Sequence, residues 1–386
     1  MIRETACTAA MARIVAAELF EIEVAFSRPY NLSKSYGTLA GTRAVLLKLT
    51  DADGLVGWGE ANPMQPFTAE SPREAGNVLH DLLLPAILRE ARPEPGRIEA
   101  ILDNLQAGHL CAKGAVSMAL LDLLGRRLRV PVATLLGGAV HACLPVLWPL
   151  GAGTADDDMA IIDDKLAQGF HTFMLKMGVA PVREEIHRVA TLEARYGHRV
   201  KLIADANQGW TRDEALEFLT GVAGSSLTFV EQPVAKDDLE GLAMVARAST
   251  LPISADEALT GLTEAARLAA LGAANVFSIK SSKNGGPLRA QRIATIAEAF
   301  GIRCYMNSML EFGITQAASL HHAVTMTNLV DAGHAFMSTL RLAEDPTDFA
   351  AFVRNGVVHL PDRPGLGVEV DEAHVRHLAL SIRQVR

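Results

Sequence analysis

Five short segments constrain the fold of this chain more than any other feature: Thr172-Phe-Met-Leu-Lys-Met-Gly178, Ile203-Ala-Asp-Ala-Asn207, Phe229-Val-Glu-Gln-Pro233, Ile253-Ser-Ala-Asp-Glu257 and Phe277-Ser-Ile-Lys-Ser-Ser-Lys283. Each is an apolar, strand-like run closed by charge, and an amphipathic helical pattern follows each one. The closing residues are Lys176, Asp205, Glu231, Asp256 and Lys280, separated by 29, 26, 25 and 24 residues. That spacing is one strand plus one helix apiece. It predicts a parallel barrel with three carboxylates and two lysines converging at one end.

The rest of the chain extends the same rhythm. From Leu144 onward, eight short strands alternate with seven helices, beginning at Val146–Leu150 and closing at Leu329–Val330. This is a (β/α) barrel without a normal last helix. Residues 14 to about 60 alternate with period two instead, and Asp51-Ala-Asp-Gly54 reads as a hairpin turn. Helical patterns over Glu74–Ala91, Arg97–Ala107 and Gly114–Arg127 complete an α+β region. The expected organisation is an α+β domain over 1–135, a barrel over 136–354 and a segment over 355–386 whose strands return to the first domain. An open dinucleotide-binding sheet is the alternative fold; no GxGxxG follows the first strand to support it.

Charge and composition exclude several partner classes. A net charge of −8 with no basic patch argues against nucleic acid. No apolar run has the length needed to span a bilayer. Residues 1–13 read as a loosely held extension without a secretory pattern, and Met11 is a second candidate start. The four cysteines, Cys7, Cys111, Cys143 and Cys304, are scattered, which points to free buried thiols and a cytoplasmic setting.

The five charged ends suggest a specific chemistry. Asp205, Glu231 and Asp256 offer hard oxygen ligands on three consecutive strands, a set suited to Mg²⁺, with Mn²⁺ as a substitute. Lys176 and Lys280 facing that site can move protons once neighbouring positive charge lowers their affinity for them. The matching substrate is a small carboxylate whose α-carbon is deprotonated to an enediolate. An ordinary salt-bridge network around the two lysines is the alternative for any one residue, and it is a poor account of all five in phase.

With these residues in view, the chain resembles the enolase superfamily, in its muconate lactonizing enzyme (mandelate racemase/muconate lactonizing enzyme-like) subgroup. Pairing a Lys or His base with Mg²⁺ is the known pattern of such sites. Gly57-Trp-Gly-Glu-Ala61, Ser117–Gly125, Pro131–Gly138 and Pro364-Gly-Leu-Gly367 resemble its other motifs. The resemblance implies a modified (β/α)7β barrel with an α+β N-terminal capping domain, an active-site loop over about 27–37 and a homo-oligomer. It implies Lys176 and Lys280 as catalytic residues, Asp205, Glu231 and Asp256 as metal ligands, and Asn207, Glu257 and Lys283 as supporting groups. Two departures stand out. Met174 occupies the position of the first lysine in the family's Lys-x-Lys, and Asn328–His334 matches no familiar eighth-strand pattern, leaving Asp331 and His334 without an assigned role.

Substrate recognition must come from residues outside the shared core. Arg28, Lys34, Tyr30 and Tyr36 in the loop, Phe67 in a second loop, and Trp148 on the first barrel strand are candidates, as are Ser278, Ser308 and Glu311. Ser278 two residues before Lys280 is similar to the Ser-x-Lys of muconate and chloromuconate cycloisomerases, so that reaction is the leading expectation. Racemisation or epimerisation of an N-substituted amino acid, dipeptide or proline derivative is the alternative, with dehydration of an acid a third. A barrel that binds metal and ligand without turnover is a further reading, supported only by the absent first lysine at Met174. An aldolase using a Schiff-base lysine is another, which would need no metal triad.

Overall fold

In the computed structural model, which describes residues 11–385, period-two alternation becomes an antiparallel sheet. Strands β1 (Ile14–Asn31), β2 (Thr38–Asp51) and β3 (Val56–Ala61) lie side by side, and the C-terminal strand Ala379–Val385 pairs with the outer edge of β1. The turn between β2 and β3 forms as expected. Gly54 adopts φ +82° and donates its N–H to the Asp51 carbonyl at 3.0 Å, while the Asp51 carboxylate accepts from the amides of Asp53 and Leu55. Cys7 and most of the expected N-terminal extension lie outside the described residues. Within 11–13 the chain is not loose: Met11 is buried and the Arg13 guanidinium donates to the Leu88 carbonyl at 3.0 Å.

The long helix expected over 74–91 is broken into Pro72–Val78, a π-helical turn Leu79–Leu83, and Leu84–Arg89. Pro85 has no N–H to give the preceding turn, and the wider turn absorbs that loss. The helix Leu110–Leu128 packs directly on β3 because Gly57 and Gly59 carry no side chain. A Cβ on Gly59 would stand 1.9 Å from the Ala115 carbonyl oxygen.

After β4 (Cys143–Pro145) comes a seven-stranded parallel sheet in strict sequence order. Its strands are β5 (Leu147–Leu150), β6 (Thr172–Lys176), β7 (Lys201–Asp205), β8 (Val230–Glu231), β9 (Ile253–Ala255), β10 (Val276–Ile279) and β11 (Arg303–Met306). A helix follows each strand, from Ala155–Ala167 to Gly313–Ala323. The expected eighth strand is irregular. Val330 donates to the Cys304 carbonyl at 2.9 Å on the β11 side, and Leu147 donates to the His334 carbonyl at 2.9 Å on the β5 side. The segment 328–335 thus closes the ring, giving the (β/α)7β barrel.

The C-terminal expectation needs correction. Val357–His359 is a strand, but it pairs with β4 beside the barrel. Pro364–Val370 is not a strand, because Gly365 and Gly367 take φ of +73° and +70°; the strand that reaches the N-terminal sheet is Ala379–Val385. The motif glycines still matter. Asp122 on the long helix accepts from the amides of Trp58 at 3.0 Å and Leu366 at 2.8 Å, tying three distant segments together. Glu60, at the end of β3, accepts from Phe312 and Thr315 at 2.9 Å each, so the N-terminal sheet caps a barrel helix. Among the described residues no helix is long and apolar enough to cross a membrane. Cys111 and Cys304 are buried free thiols, whereas Cys143 is exposed.

Candidate active site

Parallel register places the charged ends together. Lys176 pairs across strands with Asp205, Asp205 with Glu231, and Glu231 with Ser254, two residues before Asp256. All five charged residues are buried at the carboxyl ends of the strands. Lys176 Nζ is hydrogen-bonded to Asp205 Oδ2, Lys280 Nζ donates to Asp256 Oδ2 at 2.7 Å, and Lys283 Nζ donates to Asp256 Oδ1 at 2.7 Å. Lys176 at the end of β6 and Lys280 just after β10 line one cavity together with Asn207.

The backbone is strained where these groups are presented. Asn207, Gln208 and Gln232 hold φ of +43°, +64° and +35°, a cost that persists only where surroundings over-determine it. Gln232 Oε1 accepts from the amides of Asp256 at 3.0 Å and Ala258 at 3.1 Å, so one strand end fixes the next. Gln232 escaped the sequence reading because it looks like any polar residue after a strand. Asn307 escaped too. Its Nδ2 donates to Glu231 Oε1 and to Ser278 Oγ, both at 2.9 Å.

Electrostatics follow from this packing. Burial, reinforced by the charges of Asp205 and Asp256, pushes the Glu231 carboxyl well above its usual range. Burial also acts on Asp256, but Lys280 and Lys283 outweigh it and hold that carboxyl low. Burial alone would lower Lys176; Asp205, then Tyr30 and Glu231, reverse this and leave it above an ordinary lysine. Lys283 is lowered by burial, which the Asp256 carboxylate only partly offsets.

Among the described residues, no three His, Cys, Asp or Glu side chains are gathered to enclose a metal ion as they stand. Lysine ammonium groups sit on Asp205 and Asp256. The donor set nevertheless fits a hard cation. Glu231 Oε2 and Asn207 Oδ1 are buried oxygens without a hydrogen-bond partner, beside three carboxylates that repel one another.

The substrate-contact expectations divide. Tyr30, Tyr36, Phe67 and Ser308 line the cavity, with Met174 beside Lys176 and Met64, Leu147, Met309, Ala335 and Met337 adding apolar wall. Phe67 lies 4.0 Å beneath Lys280 Nζ. Arg28 and Lys34 are exposed and outside that lining. Trp148 is also outside it, because Leu147 and Pro149 take the inward positions of β5. Its ring turns to Phe170 and to Lys165 Nζ at 4.2 Å. Ser278 and Glu311 are buried behind the wall; Glu311 accepts from Ser282, Ser308 and Gln316. Asp331 is exposed and paired with Lys201 at 2.8 Å, at the opposite end of the barrel. His334 is a packing residue: its Nδ1 accepts from the Met306 amide at 3.1 Å, and burial drives its pKa down to about 3.

Comparison with known proteins agrees with this architecture. Residues 16–137 match the mandelate racemase/muconate lactonizing enzyme N-terminal domain family, and residues 159–374 match the enolase C-terminal domain-like family. Muconate cycloisomerase 1 of Pseudomonas putida is 32% identical over 345 residues, covering 89% of this chain and 92% of the relative. The L-Ala-D/L-Glu epimerase of Bacillus subtilis (strain 168) is 32% identical over 361 residues, covering 92% and 96%. The crystal structure of N-succinyl Arg/Lys racemase from Bacillus cereus ATCC 14579 superposes with a TM-score of 0.91 at 27% identity, covering 97% of this chain and all of that one.

Proposed function

The chain belongs to the enolase superfamily, in its mandelate racemase/muconate lactonizing enzyme-like group, and is an enzyme of that superfamily; from this premise we propose that it transfers a proton at the carbon alpha to a substrate carboxylate. The observation that carries the reading is the pair Lys176 and Lys280 lining one cavity from β6 and β10, above three buried carboxylates. Asp205, Glu231 and Asp256 would hold Mg²⁺, or Mn²⁺ in the same oxygen set. Bound there, the cation supplies the positive charge that stabilises a dianionic enediolate.

This chain's residues do the rest. In lactonisation the remote carboxylate oxygen adds to the conjugated double bond, the displaced π electrons move into the carboxylate as an enediolate, and the ammonium of Lys176 or Lys280 delivers a proton to the α-carbon. In racemisation the deprotonated amine of one lysine first takes that proton, and the carbon's electron pair moves into the carboxylate. Lys280 holds a proton at Nζ, supported below by Asp256 and Phe67. Of the expected loop over 27–37, residues 27–31 continue β1 and only 32–37 form the turn, which is held over the strand ends: Tyr36 OH donates to Glu257 Oε1 at 3.0 Å, and Ser33 Oγ donates to the Asn207 carbonyl at 3.3 Å.

For the specific reaction we propose a muconate-type cycloisomerisation. After the eighth strand, Ala335 and Met337 line the cavity, and no acidic side chain is among its described lining residues to receive a substrate ammonium. A second reading, racemisation of an N-acylated amino acid, is favoured by the two lysines themselves, since one can remove a proton and the other return it. Incubation in D₂O separates the two. Lactone formation from cis,cis-muconate supports the first; α-deuteration with inversion of an N-succinyl amino acid supports the second. Neither product from either acid, in the presence of Mg²⁺, would overturn both.

A further inference from the structure

Of the buried and half-buried cations near the strand ends, four have a carboxylate partner: Lys176 with Asp205, Lys280 and Lys283 with Asp256, and Arg188 with Asp158 at 2.6 Å. Arg341 has none among the described residues. Its guanidinium is half-buried, its Nε has no hydrogen-bond partner, and its best polar contact is a 3.5 Å approach of Nη1 to the Pro149 carbonyl. A desolvated cation left in this state is costly unless something anionic completes it.

The position of Arg341 says what that something is. Arg341 does not itself line the catalytic cavity, but its guanidinium carbon lies 4.2 Å over the ring of Tyr30 and 5.7 Å from the ring of Trp148, and both Tyr30 and Pro149, which it approaches, line that cavity. The Tyr30 hydroxyl is buried and also lacks a partner. The backbone of Arg341 accepts from the Ser27 amide at 2.8 Å, so the residue stands at the root of the loop that covers the cavity. Arg28 and Lys34, the other loop cations, point to solvent. We propose that Arg341 and the Tyr30 hydroxyl form a specificity element that receives a second anionic group of the substrate, remote from the carboxylate at the lysines. This deepens the reading above and rests on it only for the identity of the first carboxylate. It assigns Arg341 to specificity, with no part in moving the proton.

Binding tests this apart from turnover. Calorimetry in Mg²⁺ with adipate, an unreactive six-carbon diacid, and with monomethyl adipate gives the preference for a second charge. The wild-type chain is expected to bind adipate at least tenfold more tightly. Arg341→Met should erase that preference while leaving monomethyl adipate binding and the melting temperature unchanged. Arg341→Lys should retain part of it, and Tyr30→Phe should reduce it. No preference in the wild type, or equal weakening of both ligands by Arg341→Met, overturns the proposal. Turnover of cis,cis-muconate by the same preparation reports on the reaction separately, so a preference without turnover would sink only the reaction, and turnover without preference only the role of Arg341.

Discussion

The hydroxyl of Tyr36 donates to Glu257 Oε1 at 3.0 Å, joining the N-terminal loop to a residue 221 positions away and adjacent to Asp256. Gln208 Nε2 donates to the same hydroxyl at 2.6 Å, and Asn207 Nδ2 reaches the same carboxylate oxygen at 3.2 Å. The loop is therefore latched onto the residues that flank two of the three candidate metal ligands.

Tyr36→Phe removes the latch and little else, since the ring keeps its contact with Phe67 at 5.8 Å. A hydrogen bond to a charged group contributes about 1.5–3 kcal/mol, so kcat/KM should fall about 10- to 100-fold with the melting temperature nearly unchanged. Steady-state kinetics beside a thermal melt check this. An unchanged kcat/KM would show that the loop closes without Tyr36.

Lys176→Ala and Lys280→Ala separate the two proton carriers. Loss of a positioned acid or base typically costs about 10²- to 10⁴-fold. If the reaction is a racemisation, each variant should lose α-deuterium exchange with one enantiomer only, read by NMR in D₂O. If it is a cycloisomerisation, exchange into the lactone should depend on one lysine alone. Full activity in both variants rules the assignment out.

Removal of divalent cations should abolish activity, and Mg²⁺ or Mn²⁺ should restore it. Because a cation bound only by the folded chain stabilises it, the melting temperature should also rise on adding Mg²⁺ to the stripped protein. Glu231→Gln should lose most of that rise. A chelated protein with full activity contradicts the three-carboxylate site.

Three buried histidines set a pH dependence of stability away from the site. Burial lowers His321 and His322 to about 4 and His334 to about 3, from an ordinary value of 6.5. Between those values the unfolded chain binds protons that the folded chain refuses. Their contribution is therefore fully present above pH 6.5 and is lost as pH falls toward 4, then 3. The slope is at most about 1.4 kcal/mol per pH unit for each histidine. His322 has no partner on either ring nitrogen, so His322→Leu should flatten the acid limb of a denaturation series without loss at neutral pH. An unaltered limb would place the titration elsewhere.

Much of the barrel was legible because its signals are local. Apolar runs such as Phe229-Val230, helical periodicity and the 24- to 29-residue spacing each report a strand, a helix or their alternation. The Gly57-Trp-Gly-Glu motif was legible as a pattern but not as a cause. Only packing reveals that Gly59 lets β3 touch a helix and that Glu60 caps another helix more than 250 residues away. Trp148, a substrate-contact candidate in the sequence, misled for the opposite reason: an aromatic ring on a barrel strand looks functional, while the facing of β5 turns it away from the cavity. His334, left open by the sequence, is settled by its bond to the Met306 amide.

The sequence by itself determined which chemistry sits at the strand ends: Lys176, Asp205, Glu231, Asp256 and Lys280, each at a position the βα repeat must bring to one rim. Tertiary structure alone decided which residues complete that rim. Gln232 and Asn307 act through contacts between segments far apart in the chain, and the same kind of contact gives Tyr36, already a candidate in the sequence, its bond to Glu257. Side-chain direction and burial, which create those contacts, are set by packing and leave no local trace in the sequence.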